Sequence, residues 1–317
     1  MLALLAKTKL VEYGAEVDGL VFHQAGHILG SALVQVNDEK TVLYTGDLSL
    51  RDSRLLDGSV RGLAADVLVI ESTYGSPGDA HIAVKDAAKK LIDSINATFE
   101  KGGNVLIPTF AIGKGQEILF TLENYLRSGT LEPTPIYIDG MVKKALRIYR
   151  HNAIYLKKEV QYRILTSDDD PFKSEHYRVP ETKSREDVLA QKRAIILATS
   201  GMLNGGPVLT YLKKMAGDSR NKIILVGYQA KGTRGREILD GARSLTIDDE
   251  TIELNLEVDQ AAFSGHADYQ QLMDFVKSVR GLKNVFIVHG EAQKSEALAE
   301  GIEKYAKKKK QAIKVTV

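Results

Sequence analysis

Seven histidines and no cysteine set the terms for any reactive site in this 317-residue chain. Thiolate chemistry and disulfides are excluded, so a metal would have to be held by His, Asp and Glu. Three of the histidines stand in glycine-flanked turns beside apolar runs: His27 in AGHILGS, His266 in FSGHAD and His289 in VHGE. Glycine at such points allows a sharp turn and lets a ligand come close to the backbone. Asp47 follows the run VLYTGD and Glu71 ends VLVIE, so both carboxylates project from strand ends, where rigid support meets irregular backbone. Taken singly, each residue has a plain structural explanation, such as a hydrogen-bonded turn histidine or an Asx turn at Asp47. Glu71, at the end of a buried strand, needs a cation, a histidine or a hydrogen-bond donor. Taken together, nitrogen and oxygen donors without sulfur fit a hydrolytic Zn²⁺ or Mn²⁺ site, which would lower the pKa of bound water.

Two glycine-rich turns are candidates for phosphate. In ATSGMLNGG, Ser200 and Gly201 follow an apolar run, where successive N–H groups can form an anion-binding nest. GYQAKGTRGRE resembles a nucleotide loop only superficially, since its glycines do not fit G-x-G-x-x-G. A plain strand-to-helix connection explains either turn as well.

These residues need rigid supports, and the hydrophobic pattern supplies them. GLVFHQ, SALVQVN, KTVLYTGD and ADVLVIES read as closely spaced strands joined by short turns, which implies hairpins in a sheet packed on one side. From about Ala80 the pattern changes to helices alternating with buried strands. Ile82 to Phe99 and Gly115 to Arg127 have helical periodicity, while NVLIPTF, PIYID, AIILAT and KIILVGY read as strands of a parallel, doubly covered sheet. From about Thr246 the stretch LTIDDETIELNLEVDQAAF is hairpin-like, and NVFIVHGE with the helix SEALAEGIEKYA closes the chain. The expected organisation is α/β and discontinuous: residues 1–79 and 246–317 form one lobe, and 80–245 are inserted as a doubly wound α/β lobe.

Length and a 44% hydrophobic content permit two cores of ordinary size. Lys+Arg 43 against Asp+Glu 41 gives a formal charge of +2, so any nucleic-acid surface must be local. No apolar run approaches the roughly 18 to 20 residues that span a bilayer. The opening MLALLAKTKLVEYG reads as a short amphipathic helix rather than a signal peptide, which with the lack of cysteine predicts a soluble, cytoplasmic protein. The basic run Lys307 to Lys310 reads as a solvated helix end.

The order of the motifs adds more than any one of them. AGHILGSA, TGD, ESTYG, PTFAIGKGQE, ATSGML, GYQAKGTRGRE, FSGHAD and VHGE, spread from about Val21 to about Glu291, resemble the β-CASP branch of the metallo-β-lactamase superfamily. The resemblance implies a partial metallo-β-lactamase αββα lobe interrupted by a β-CASP lobe, and a metal-dependent phosphodiesterase acting on single-stranded RNA, as an endonuclease or from a 5′ end, in 3′-end processing or turnover. It implies that His27, Asp47 and His289 are metal ligands, with Asp47 bridging two Zn²⁺. It further implies that His266 is the general acid and that Glu71 orients it. In that scheme metal-activated hydroxide attacks phosphorus in line, while His266 protonates the departing ribose oxygen and contributes around 10²–10⁴-fold. The inserted lobe would close a groove over the site, with Ser31, Lys114, Thr199, Ser200, Gly201, Lys231, Arg234, Arg236 and Ser264 as candidate phosphate or RNA contacts. Exposed salt bridges are the competing explanation for the four cationic residues.

The family's H-x-H-x-D-H cluster, which supplies four zinc ligands, has no counterpart in this sequence. The expectation is therefore an incomplete form with weakened or lost zinc binding. Two other readings remain open: a non-catalytic RNA-binding or scaffold homologue, and a small-molecule hydrolase of the same fold. A homodimer or association with other RNA-processing subunits is the expected assembly, with no membrane partner.

Overall fold

The computed structural model describes residues 8–167, 169–181 and 185–317. Its strands, in chain order, are β1 (Glu16–Val17), β2 (Leu20–Gln24), β3 (Ala32–Asn37), β4 (Thr41–Tyr44), β5 (Val67–Glu71), β6 (Val105–Pro108), β7 (Ile136–Asp139), β8 (Tyr177–Arg178), β9 (Ile195–Ala198), β10 (Lys222–Leu225), β11 (Ser244–Ile247), β12 (Glu250–Glu253), β13 (Glu257–Gln260), β14 (Asn284–Val288) and β15 (Lys314–Thr316). The α-helices are α1 (Val84–Glu100), α2 (Lys114–Arg127), α3 (Val142–His151), α4 (Lys158–Leu165), α5 (Arg185–Ala190), α6 (Pro207–Met215), α7 (Arg234–Leu239), α8 (Tyr269–Ser278) and α9 (Ala292–Lys309). Two compact units result, residues 1–81 with 265–317 and residues 82–264.

The first unit is built on a seven-stranded mixed sheet in the order β1-β2-β3-β4-β5-β14-β15. β1 to β4 form antiparallel hairpins. The first turns at Asp18-Gly19, both in the left-handed region that a tight two-residue hairpin requires. From β4 onward the pairing is parallel. Alternation along the strands sends Leu33, Leu43, Leu68, Ile70, Val285 and Ile287 to one face, where they meet Leu272, Phe275 and Val276 of α8 and Leu298 and Ile302 of α9. On the other face the register aligns Val34, Tyr44, Val69 and Phe286, and Tyr44 and Phe286 are exposed.

The second unit holds a six-stranded, wholly parallel sheet in the order β13-β10-β6-β9-β7-β8, with the central strands fully buried. Continuous apolar runs such as VLIP, IILA and KIIL are what a sheet covered on both faces demands. Tyr211, Leu212 and Met215 of α6 and Ile238 of α7 pack in its core.

Two expectations change. The expected boundary at Thr246 falls inside the second unit: β11 and β12 do form a hairpin, but Leu245, Ile247, Leu254 and Leu256 bury themselves in that unit's core. β13 then pairs in parallel with β10, so the chain returns to the first unit only at Gly265. Of the expected amino-terminal helix, residues 1–7 lie outside the described residues and 8–14 are not helical. Lys307, Lys308 and Lys309 occupy the last turn of α9, where cations complement the helix dipole. Among the described residues no helix is long and apolar enough to cross a membrane.

Candidate metal centre

The first unit collects its reactive side chains at the ends of β4, β5 and β14 and in the turns before β3 and α8. The AGHILGS turn is fixed by backbone contact at Gly26, whose φ is +72° and where a Cβ would lie 2.5 Å from the Ser49 carbonyl oxygen. Ser31 closes the same turn, its hydroxyl donating to the Ile28 carbonyl (2.8 Å) and accepting from the Ile28 N–H (3.2 Å). His27 Nδ1–H donates to the Gly265 carbonyl at 2.8 Å, which puts the ring proton on Nδ1 and makes Nε2 the unprotonated nitrogen, the tautomer a metal ligand requires. Nε2 then stands 3.7 Å from Asp47 Oδ2.

The other oxygen of Asp47 lies 3.1 Å from His289 Nδ1. Asp47 therefore stands between two imidazoles, one on each oxygen. His289 has a left-handed backbone (φ 54°), uncommon for a side-chain-bearing residue, and its side chain is 60% exposed. Gly290 makes that turn possible, since a Cβ there would lie 2.2 Å from Ser72 Oγ and 2.6 Å from the Ser72 carbonyl oxygen.

Glu71 is buried, and both of its oxygens are occupied. Oε1 accepts from the Leu48 N–H (2.7 Å), Oε2 accepts from the Thr73 hydroxyl (2.6 Å), and His266 Nδ1–H reaches the two at 3.1 and 2.8 Å. Burial alone would raise the carboxyl's pKa; the hydrogen bonds and charge of His266, with those from Thr73 and Leu48, outweigh it and hold the group below the ordinary carboxylate range. A carboxylate on Nδ1 fixes the orientation and tautomer of the imidazole.

His27, Asp47 and His266 each place a ligand atom within 4.8 Å of the others, and so do Asp47, Glu71 and His289. The donor types suit zinc. Yet Glu71 is already committed to His266, Thr73 and the backbone, which leaves Asp47 as the shared carboxylate with His27 on one side and His289 on the other. A cation beside His27 would have His27 and Asp47 as donors with His266 in the same group, and one beside His289 would have only Asp47 and His289, where catalytic zinc takes three.

The five residues named from the sequence stand together at this centre, and two further side chains support them. Thr73 sits at the hub, its hydroxyl 3.4 Å from His266 Nδ1 and 3.3 Å from His289 Nδ1 besides its bond to Glu71. Its position two residues beyond the end of β5 was the only available signal. His81 Nε2–H donates to the His266 carbonyl (3.1 Å), and its backbone N–H donates to Asp268 (3.1 Å), the residue that caps α8.

The other candidates lie in the second unit, except Ser31. Ser200 closes its own loop, its N–H donating to the Gly205 carbonyl (3.1 Å) and its hydroxyl accepting from the Asn204 N–H (3.0 Å). Val208 N–H likewise donates to the Thr199 carbonyl. Arg234 binds the carbonyls of Thr246 (3.0 Å) and Leu203 (3.3 Å), and Arg236 pairs with Asp240 at 2.9 Å. Lys231 is exposed, whereas Lys114, Gly201 and Ser264 are at least partly buried.

Residues 115–238 match the Beta-Casp domain, and residues 251–315 match the Zn-dependent metallo-hydrolase RNA specificity domain. The chain belongs to the β-CASP family of metallo-β-lactamase-fold proteins. It is similar to the RNase J-like protein of Methanocaldococcus jannaschii, 41% identical over 290 residues that cover 90% of this chain and 67% of that one. It is also similar to archaeal proteins named transcription termination factor FttA. The Pyrococcus abyssi protein is 41% identical over 296 residues (89% of this chain, 46% of the relative), and that of Lokiarchaeum sp. is 37% identical over 301 residues (91% and 47%). The chain thus spans about half the length of the FttA relatives it matches.

Proposed function

We propose that this chain carries the downstream part of the catalytic centre of a zinc-dependent ribonuclease that hydrolyses phosphodiester bonds in single-stranded RNA, in 3′-end processing or turnover. The observation that carries this reading is the double use of Asp47, with an imidazole on each oxygen, beside a histidine anchored on a buried carboxylate. His27, Asp47 and His289 would hold zinc. When bound, zinc supplies Lewis acidity toward a phosphoryl oxygen and a lowered pKa for coordinated water. His266, held through Nδ1 by Glu71, presents Nε2 and gives its proton to the departing ribose oxygen, and Glu71 stabilises the imidazolium before transfer. Thr73 keeps Glu71 from rotating, and His81 fixes the backbone on which His266 stands. The further donors that two ions need would come from the portion of the relatives that this chain does not span.

The short donor set around Asp47, only two side chains on the His289 side, favours one other reading, an RNA-binding homologue without activity. One experiment separates them: cleavage of an unstructured, end-labelled RNA with zinc, by this chain and by this chain joined to the preceding portion of the P. abyssi relative. The nuclease reading expects the joined protein to cut and its His266→Ala variant to cut about 10²–10⁴-fold more slowly. A joined protein that binds zinc and RNA but does not cut would establish the scaffold reading instead.

A further inference from the structure

In the second unit β10, β6 and β9 are adjacent, central and parallel, so their carboxyl ends open side by side. That edge is where open parallel sheets receive ligands. Phe110 stands there two residues past β6 and is 40% exposed although its neighbours on β6 are buried. Its ring lies along two glycine turns: a Cβ on Gly201 would be 3.0 Å from one ring carbon, and a Cβ on Gly227 3.5 Å from another. Gln229, itself buried, binds the turns together behind the ring, its amide donating to the carbonyls of Gly201 (3.0 Å) and Gly227 (3.3 Å). The ring therefore rests on a fixed backing of backbone and is open to solvent.

The segments that leave these strands are rich in cations. Residues 109–114, 199–206 and 226–236 contain Lys114, Lys231, Arg234 and Arg236 and no Asp or Glu; Arg236 pairs with Asp240 and Arg234 with the carbonyls of Thr246 and Leu203, so the exposed Lys231 is the clearest candidate for a phosphate. An aromatic platform with a cationic rim matches a nucleotide, whose base stacks while its phosphates meet the cations. An apolar protein segment would match the ring but would desolvate the rim without compensation. We infer that Phe110 is a stacking platform for one base of single-stranded RNA, a contact that rests on the RNA reading above and adds a site in the inserted unit to it. Every base has a π-face, so this contact tolerates sequence; the phosphate contacts at its rim give the salt dependence.

The chain has no tryptophan, so Phe110→Trp introduces a single fluorescent reporter at the platform. Titration with a ten-nucleotide oligoadenylate, without metal, is expected to quench it, and an abasic oligomer of equal charge is expected to leave it bright. By anisotropy with labelled oligoadenylate, Phe110→Leu should bind roughly 5- to 100-fold more weakly than wild type, and Phe110→Tyr should bind as wild type does. The salt dependence should be the same for all three, because the phosphate contacts remain. Circular dichroism and melting of Phe110→Leu control for folding. RNA binding that is equal in wild type and Phe110→Leu, or unquenched saturation of Phe110→Trp, would overturn the platform while leaving the nuclease reading intact. Absence of RNA binding by the wild-type chain would likewise overturn the platform, whereas the nuclease reading fails only if the joined protein does not cut.

Discussion

Replacing Glu71 by Gln should cost stability and change the tautomer of His266 together. The carboxylate is 1% exposed and accepts from three donors: Leu48 N–H, the Thr73 hydroxyl and His266 Nδ1–H. A glutamine offers one acceptor oxygen and one amide group. If its oxygen stays on the Leu48 N–H, its amide faces Thr73 and His266. The hydroxyl can turn to accept, but the imidazole must move its proton from Nδ1 to Nε2. Charge-assisted hydrogen bonds to a buried carboxylate are replaced by neutral ones, which costs about 2 kcal/mol. The pH dependence has a fixed sign. Because the folded pKa of Glu71 lies below its ordinary value of 4.5, its contribution is complete above that value and is lost as pH falls through the lower folded pKa. Glutamine does not titrate, so the gap between wild type and Glu71→Gln should be steady near neutrality and close in acid. Urea unfolding across pH measures the gap, and imidazole ¹⁵N shifts report the tautomer of His266. A gap under about 0.5 kcal/mol at pH 7, with Nδ1 of His266 still protonated in the variant, would refute the assigned coupling.

Two further outcomes follow from particular contacts. Asp139, buried at the end of β7, accepts from Arg185 Nε (2.6 Å), the Tyr211 hydroxyl (2.9 Å) and the Gly140 N–H (2.6 Å). Burial pushes its carboxyl up, but Arg185 and Tyr211 outweigh that and hold it below the usual range. Asp139→Ala should then lower stability by about 3 kcal/mol in urea unfolding, since it strands a partly buried guanidinium, with the loss shrinking in acid. Gly26→Ala, at φ +72° with a Cβ 2.5 Å from the Ser49 carbonyl oxygen, should lower stability by about 2 kcal/mol in thermal unfolding and displace His27.

The strands and the five residues at the first unit's centre were legible because their signals are local. Apolar alternation ends at Asp47 and Glu71, and glycines flank His27, His266 and His289. Thr73 and His81 were not legible, because nothing about a threonine or a histidine beyond a strand end says that it will face Glu71 or the carbonyl of His266. The boundary near residue 264 was hidden for a different reason. The pattern of β13 identifies a strand but not its partner, and only pairing with β10, across a separation of 35 residues between Lys222 and Glu257, assigns it to the inserted sheet. Cations were likewise visible as cations, whereas the carbonyls that occupy Arg234 come from Leu203 and from Thr246 of a distant hairpin.

The proposed role of Asp47 as the carboxylate common to two cation positions is tested most directly by zinc titration of the chain by calorimetry. That role predicts weak uptake by the wild type, partial loss in His27→Ala, which leaves Asp47 with His289, and complete loss in Asp47→Ala despite an unchanged melting transition. Zinc uptake by Asp47→Ala equal to that of the wild type would contradict it.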